Sequence, residues 1–211
     1  MDYIFSKKVP EVGDRGFIVG DRFVKVSSSI KPDYGLITWL GDSFTSLGEY
    51  QLTLNVSGNV TITEDGFCFP GSDSAGLSVT LPNELDLSGS FQLEFDALLT
   101  GNTWHFGFFR LDSWNINVAS IQSNNDILYG QPNSINCSVR LETNIWNHYV
   151  WRRLSNNNIQ FLMNNVIKGS TSSSKNYTGK ELCLNAKGVG FSTPFQGYIK
   201  NFKISYFDNI E

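Results

Sequence analysis

The run Trp146-Asn147-His148-Tyr149-Val150-Trp151-Arg152 is followed by Ser155-Asn156-Asn157-Asn158 and then by Ile159-Gln160-Phe161-Leu162-Met163-Asn164-Asn165. Apolar, β-favouring side chains alternate with polar ones and the breaks are rich in asparagine. The segment therefore reads as three short strands joined by two tight polar turns. A spacing of two cannot present one apolar stripe on a helix, so this part of the chain is committed to sheet.

The same punctuation runs from Tyr34 onward. Candidate strands fall at 35–40, 51–56, 60–63, 66–69, 76–81, 91–99, 103–111, 115–120, 138–141, 146–153, 159–163, 166–169, 181–184, 189–191 and 195–206. Gly, Asn, Asp and Ser separate them, and helical periodicity is suggested only as a single turn at Leu85-Asp86-Leu87. The longest of these strands carry apolar residues at alternate positions. That predicts an all-β fold, two antiparallel sheets packed as a jelly-roll sandwich.

Residues 1–33 differ from the rest. They contain no asparagine, and Gly16-Phe17-Ile18-Val19, Gly20-Asp21 and Arg22-Phe23-Val24-Lys25-Val26 form a compact hairpin signal. Ser27 to Pro32 reads as a linker, with Pro32 biasing its neighbour to extended backbone. The chain thus divides into a leader, 1–33, and a sandwich domain, 34–211. A leader this small cannot hold a core alone, so it is read as an attachment or homo-oligomerisation segment.

Composition removes several classes. With 14% aromatic and 17% charged residues among 211, the chain is not disordered. The net charge is −4, and the only basic pairs are Lys7-Lys8 and Arg152-Arg153, so no nucleic-acid partner is expected. No apolar run is long enough to span a bilayer, and no membrane partner is expected. Residues 1–8 lack a basic segment followed by an apolar one, which argues against a secretory signal. Cys68, Cys137 and Cys183 are odd in number and widely spaced, so they read as free, mostly buried thiols; zinc lacks ligands. Without an export signal, the Asn-x-Ser/Thr triplets at Asn55, Asn59, Asn136 and Asn176 read as chance occurrences.

Several segments, in order, carry a family resemblance over roughly residues 34–208. Gly66-Phe67-Cys68-Phe69-Pro70-Gly71-Ser72-Asp73 is similar to a glycine–hydrophobic–Phe strand closing on an Asp-Gly turn. Leu85-Asp86-Leu87-Ser88-Gly89-Ser90-Phe91-Gln92-Leu93-Glu94-Phe95 is similar to a second strand motif, and Phe195-Gln196-Gly197-Tyr198-Ile199-Lys200-Asn201-Phe202-Lys203-Ile204 to a closing strand. With the Trp146-x-His148 hairpin, these resemble the laminin-G-like (LamG type 3) domains of the concanavalin A-like lectin/glucanase superfamily. The resemblance implies a sandwich scaffold in which His148 and the Trp146 hairpin are structural.

That superfamily also implies two chemistries to weigh. Its retaining hydrolases resemble Glu-x-Asp-x-x-Glu on one strand, with nucleophile and acid/base about 5–5.5 Å apart. Here Glu94 and Asp96 share a strand face, but Leu99 stands where the second glutamate belongs. The expectation is no enzyme and no catalytic residue. Calcium is the cofactor to consider, with Asp42, Asp65, Asp73 and Asp126 in plausible loops. Lys200 and Pro70 replace the acidic residues usual in the family, so neither a metal site nor any other cofactor is expected. With only His105 and His148 available as bases, nucleophilic catalysis is not expected either.

Carbohydrate binding needs an aromatic platform flanked by hydrogen-bonding groups. The best local match is Asp112-Ser113-Trp114-Asn115, with Asn125, Asp126 and Tyr129 in the following connection; the alternative is that Trp114 caps the sandwich core. Trp104, Phe106 and Phe108 share a strand face and read as core, and Trp39, Trp146 and Trp151 read as core or scaffold. The expectation is a non-catalytic recognition or adhesion module of a viral (phage) tail, fibre or capsid decoration. It would bind a glycan or cell-surface receptor, contact other virion subunits through residues 1–33, and act at a virion or extracellular surface. The competing expectation is a glycoside hydrolase of the same fold with a degenerate site.

Overall fold

A computed structural model describes residues 3–6, 16–19, 22–26, 33–72, 75–101, 109–111, 116–121, 128–130, 143–172, 174, 178–184 and 195–206. By backbone proximity the chain divides into Met1–Asp33 and Tyr34–Glu211. In the first unit, β1 (Tyr3–Ser6), β2 (Gly16–Val19) and β3 (Arg22–Val26) form a three-stranded antiparallel sheet. The expected hairpin is β2–β3, with Val19 opposite Arg22. The strand not anticipated is β1, which pairs along the other side of β3.

The second unit is an antiparallel sandwich, as the alternation predicts. Its larger sheet runs β15 (Val166–Ser172), β14 (Asn158–Met163), β13 (Trp146–Arg153), β9 (Phe91–Leu99), β17 (Gln196–Tyr206), β7 (Gly66–Pro70) and β6 (Thr61–Thr63). The short strand β4 (Ile37–Trp39) also pairs with β17. The smaller sheet runs β12 (Leu128–Gly130), β11 (Ile116–Ile121), β10 (Phe109–Leu111), β16 (Thr178–Leu184), β8 (Gly76–Asp86) and β5 (Asn55–Ser57). The expected strands at 91–99 and 146–153 coincide with β9 and β13. Those at 138–141 and 189–191, and positions 103–108 with His105, lie outside the described residues.

Alternation sorts each strand into two faces. Along β9, Phe91, Leu93, Phe95 and Ala97 are buried, while Gln92, Glu94, Asp96 and Leu98 are half-exposed. The larger sheet supplies mostly aromatics to the core, including Phe67, Phe69, Phe91, Phe95, Phe161 and Phe202. The smaller sheet answers with Leu77, Val79, Leu81, Leu111, Leu182 and Leu184. Each such burial is worth about 1.5–3 kcal/mol. Trp39 and Trp151 join this core as expected, whereas Trp146 is half-exposed on the opposite face.

Turn chemistry follows the asparagines. Asn164 and Asn165 both have positive φ (52° and 65°), the twist a two-residue β14–β15 reversal requires. Asn157 (φ 63°) closes the β13–β14 turn, and its side-chain oxygen accepts from Nη2 of the buried Arg153 at 2.6 Å. The helical turn expected at Leu85-Asp86-Leu87 is absent. Instead β8 extends to Asp86, opposite Thr178 of β16. Leu85 and Leu87 are both buried with Asp86 exposed between them, which is the strand period rather than the helical one. Residues 81–84 lie opposite Lys180 alone, a bulge that accommodates Pro82, which has no N–H to give the ladder.

Candidate functional site

The outward face of β9, with its neighbours β13 and β17, carries a hydrogen-bonded polar array. Register places it row by row. Leu98 lies between Trp146 on β13 and Tyr198 on β17, and Asp96 lies between His148 and Lys200. Glu94 lies between Val150 and Lys203, and Gln92 faces Arg152. An apolar, aromatic row thus runs directly beside a polar one.

The side chains of the polar rows hold one another in place. Nδ1 of His148 donates to Oδ1 of Asp96 at 2.7 Å, and its Nε2 lies 3.9 Å from Glu94. Asn201 donates to the other Asp96 oxygen at 2.7 Å, and Gln92 donates to Glu94 at 2.7 Å. Arg152 Nε donates to Gln160 at 2.9 Å. His148, Glu94 and Asp96 keep 34%, 23% and 24% of their side-chain surface exposed, so the array is both ordered and reachable.

Backbone irregularity puts Asn201 there. The β9–β17 register shifts between Lys200 and Lys203, and Asn201 at the bulge has φ 53°, a conformation asparagine tolerates. Its N–H turns to the Leu40 carbonyl, and its amide reaches Asp96. Close approach of β17 to β9 depends on Gly197 (φ 148°), where a Cβ would run into the Leu98 carbonyl oxygen. At the aromatic row, Lys200 Nζ sits 4.1 Å above the centroid of the Trp146 ring, within cation–π range. The Cys68 thiol, opposite Tyr198 on β7, pushes the Tyr198 phenol above its ordinary pKa.

Glu94 and Asp96 do share a face, as their spacing predicts. Asp96 is engaged by a ring and an amide and Glu94 by an amide, and Leu99 rather than an acid follows three residues after Asp96. Among the described residues, no group of three His, Cys, Asp or Glu side chains is placed to hold a metal. Of the expected thiols, Cys183 is buried, Cys68 is half-buried, and Cys137 lies outside the described residues.

Asp112, Trp114, Asn115, Asn125 and Asp126 lie outside the described residues, as do Trp104, Phe106 and Phe108. Tyr129, read as part of a connection, belongs to β12, the edge strand beside β11. Asp112, Trp114 and Asn115 precede β11, whereas Asn125 and Asp126 follow it. The outward array of β9, β13 and β17 had a sequence signal of its own. Polar residues recur at every second position of β9 while ionisable ones recur on the strands that flank it, but which strands flank β9 is not written locally.

Known structures share this fold. The binding domain of botulinum neurotoxin serotype D matches with a TM-score of 0.62 at 14% identity, over 83% of this chain and 49% of that one. The serotype G binding domain matches with a TM-score of 0.60 at 15% identity, over 82% and 47%. The serotype D ligand-binding domain in complex with N-acetylneuraminic acid matches with a TM-score of 0.62 at 13% identity, over 84% and 48%. At such identities the likeness is one of fold, and this chain spans about half the length of each. No protein-family model and no curated protein sequence matches the chain.

Proposed function

We propose that the chain is a non-catalytic recognition module that binds a glycan or a cell-surface receptor. The observation that carries this reading is the state of Glu94 and Asp96. These two acids, spaced as in the hydrolase pattern, are hydrogen-bonded into a half-exposed array, and Leu99 stands at the third position of that pattern. Support comes from the fold, shared with receptor-binding domains, one of them solved with a bound sugar. The laminin-G-like motifs support the same reading. Asp112, Trp114, Asn115, Asn125, Asp126 and Tyr129 remain the proposed contact set.

The finer part of the proposal is display on a virus particle or extracellular surface. Residues 1–33 support it, because a three-stranded sheet of that size gains stability by burying a face against a partner. A glycan array on the full chain and on Trp114→Ala tests the recognition role. Binding lost with Trp114→Ala is the expected result. Sugar release from a polysaccharide panel that stops with Glu94→Gln would reinstate the hydrolase.

A further inference from the structure

We infer that the outward face of β9, β13 and β17 is a second carbohydrate surface, one that takes neutral pyranoside chains. This inference rests on the recognition reading but not on the segment around Trp114. A pyranose presents an apolar C–H face and an edge of hydroxyls, so its binding surface needs an aromatic platform beside fixed, planar polar groups. The register supplies that pairing: the row Trp146–Leu98–Tyr198 runs alongside His148–Asp96–Lys200.

The polar groups are already positioned. Asp96 is held by His148 and Asn201, and Glu94 by Gln92, so their rotamers are set before a ligand arrives and little side-chain entropy remains to be lost. His148 Nε2 lies 3.9 Å from Glu94. The Trp146 ring already attracts a positively polarised group, the Lys200 ammonium 4.1 Å above its centroid. Sugar C–H groups are polarised in the same sense, so a pyranose exchanges with the ammonium on the ring face and frees Lys200 to donate to hydroxyls.

Charge decides which sugars. The array interleaves the carboxylates of Glu94 and Asp96 with Lys200, Lys203 and Arg152, giving no field of one sign to attract an ion. Glu94 and Asp96 flank His148 and repel a sugar carboxylate brought to the same spot. Three inter-strand steps from β14 to β17 cover roughly 14 Å, enough for about three pyranose rings.

The test is calorimetric titration of the full chain with neutral hexasaccharides of glucose, mannose and xylose, and with oligogalacturonate and sialyllactose as acidic probes. At least one neutral chain is expected to bind, with Trp146→Ala and Tyr198→Ala each weakening it roughly tenfold, the worth of an aromatic contact. Glu94→Gln is expected to improve acidic binding relative to neutral. Unchanged melting temperatures separate these effects from misfolding; Tyr198→Ala keeps the test decisive if Trp146→Ala does not fold. Neutral binding lost with Trp114→Ala but unmoved by both aromatic substitutions here overturns this inference and leaves the recognition reading standing. A preference for the acidic probes in the wild-type chain overturns it too. No binding of any glycan, here or on the array, removes both.

Discussion

The inner and outer faces of β9 and β13 are made from the same two stretches of chain, yet different forces hold them. Inside, Phe95 stacks near Tyr149 and Phe202, with ring centroids 5.4 and 6.3 Å away, and Phe91 meets Trp151 edge-on at 5.0 Å. Outside, one residue along, Glu94 and Asp96 are held by hydrogen bonds in partial contact with water. Apolar burial is proportional to area and irreplaceable by solvent. A half-exposed hydrogen bond competes with water and nets little. The inner face therefore carries stability, and the outer face can be altered for binding with little effect on folding.

The largest expected effect is on the inner face. Phe95→Ala should lower unfolding free energy by about 3–5 kcal/mol, read from the urea midpoint. A cost under about 1 kcal/mol would mean that the two faces do not divide the work as described.

The outer face should respond more weakly. In a double-mutant cycle on His148→Ala and Asp96→Ala, the coupling should be about 1 kcal/mol, because both groups remain partly solvated. A coupling as large as the Phe95 effect would erase the contrast.

The smallest effect is electrostatic and lies at the end of β8. The Ser88 side chain and backbone N–H, bonded to the Asp86 carboxylate, hold it below its ordinary value of 3.8. A carboxylate whose folded pKa is depressed adds stability above its unfolded pKa and loses it as pH falls through the folded value. Melting temperature against pH should accordingly fall less steeply below pH 3.8 in Asp86→Asn than in the wild-type chain. Because Asp86 is exposed, the difference should be small. A difference as large as the aromatic one would mean that surface charge governs this fold.

Much of the architecture was legible along the chain. The period of two at 91–99 and 146–153 is enforced by the pleat itself, so both strands and both faces could be read directly. The Asn164-Asn165 turn was readable because few residues accept two successive positive φ values. The Leu85–Leu87 segment misled because three residues fit a helical turn and a strand equally well. Only pairing with β16 decides between them. For Trp146 the sequence leaves core and scaffold open for a related reason, and register with Leu98 places it on the outward face.

The candidate site was legible only in part. That Glu94 and Asp96 share a side follows from spacing. That His148 lies 52 residues away in sequence and 2.7 Å away in space does not, and neither does the bulge that aims Asn201, 105 residues along, at the same carboxylate. Local sequence determines which side of a strand each residue faces, because that depends only on backbone geometry between neighbours. The order of strands in the sheet, and hence which side chains meet across it, was decided by the tertiary structure alone, because it depends on how the whole apolar surface is buried at once.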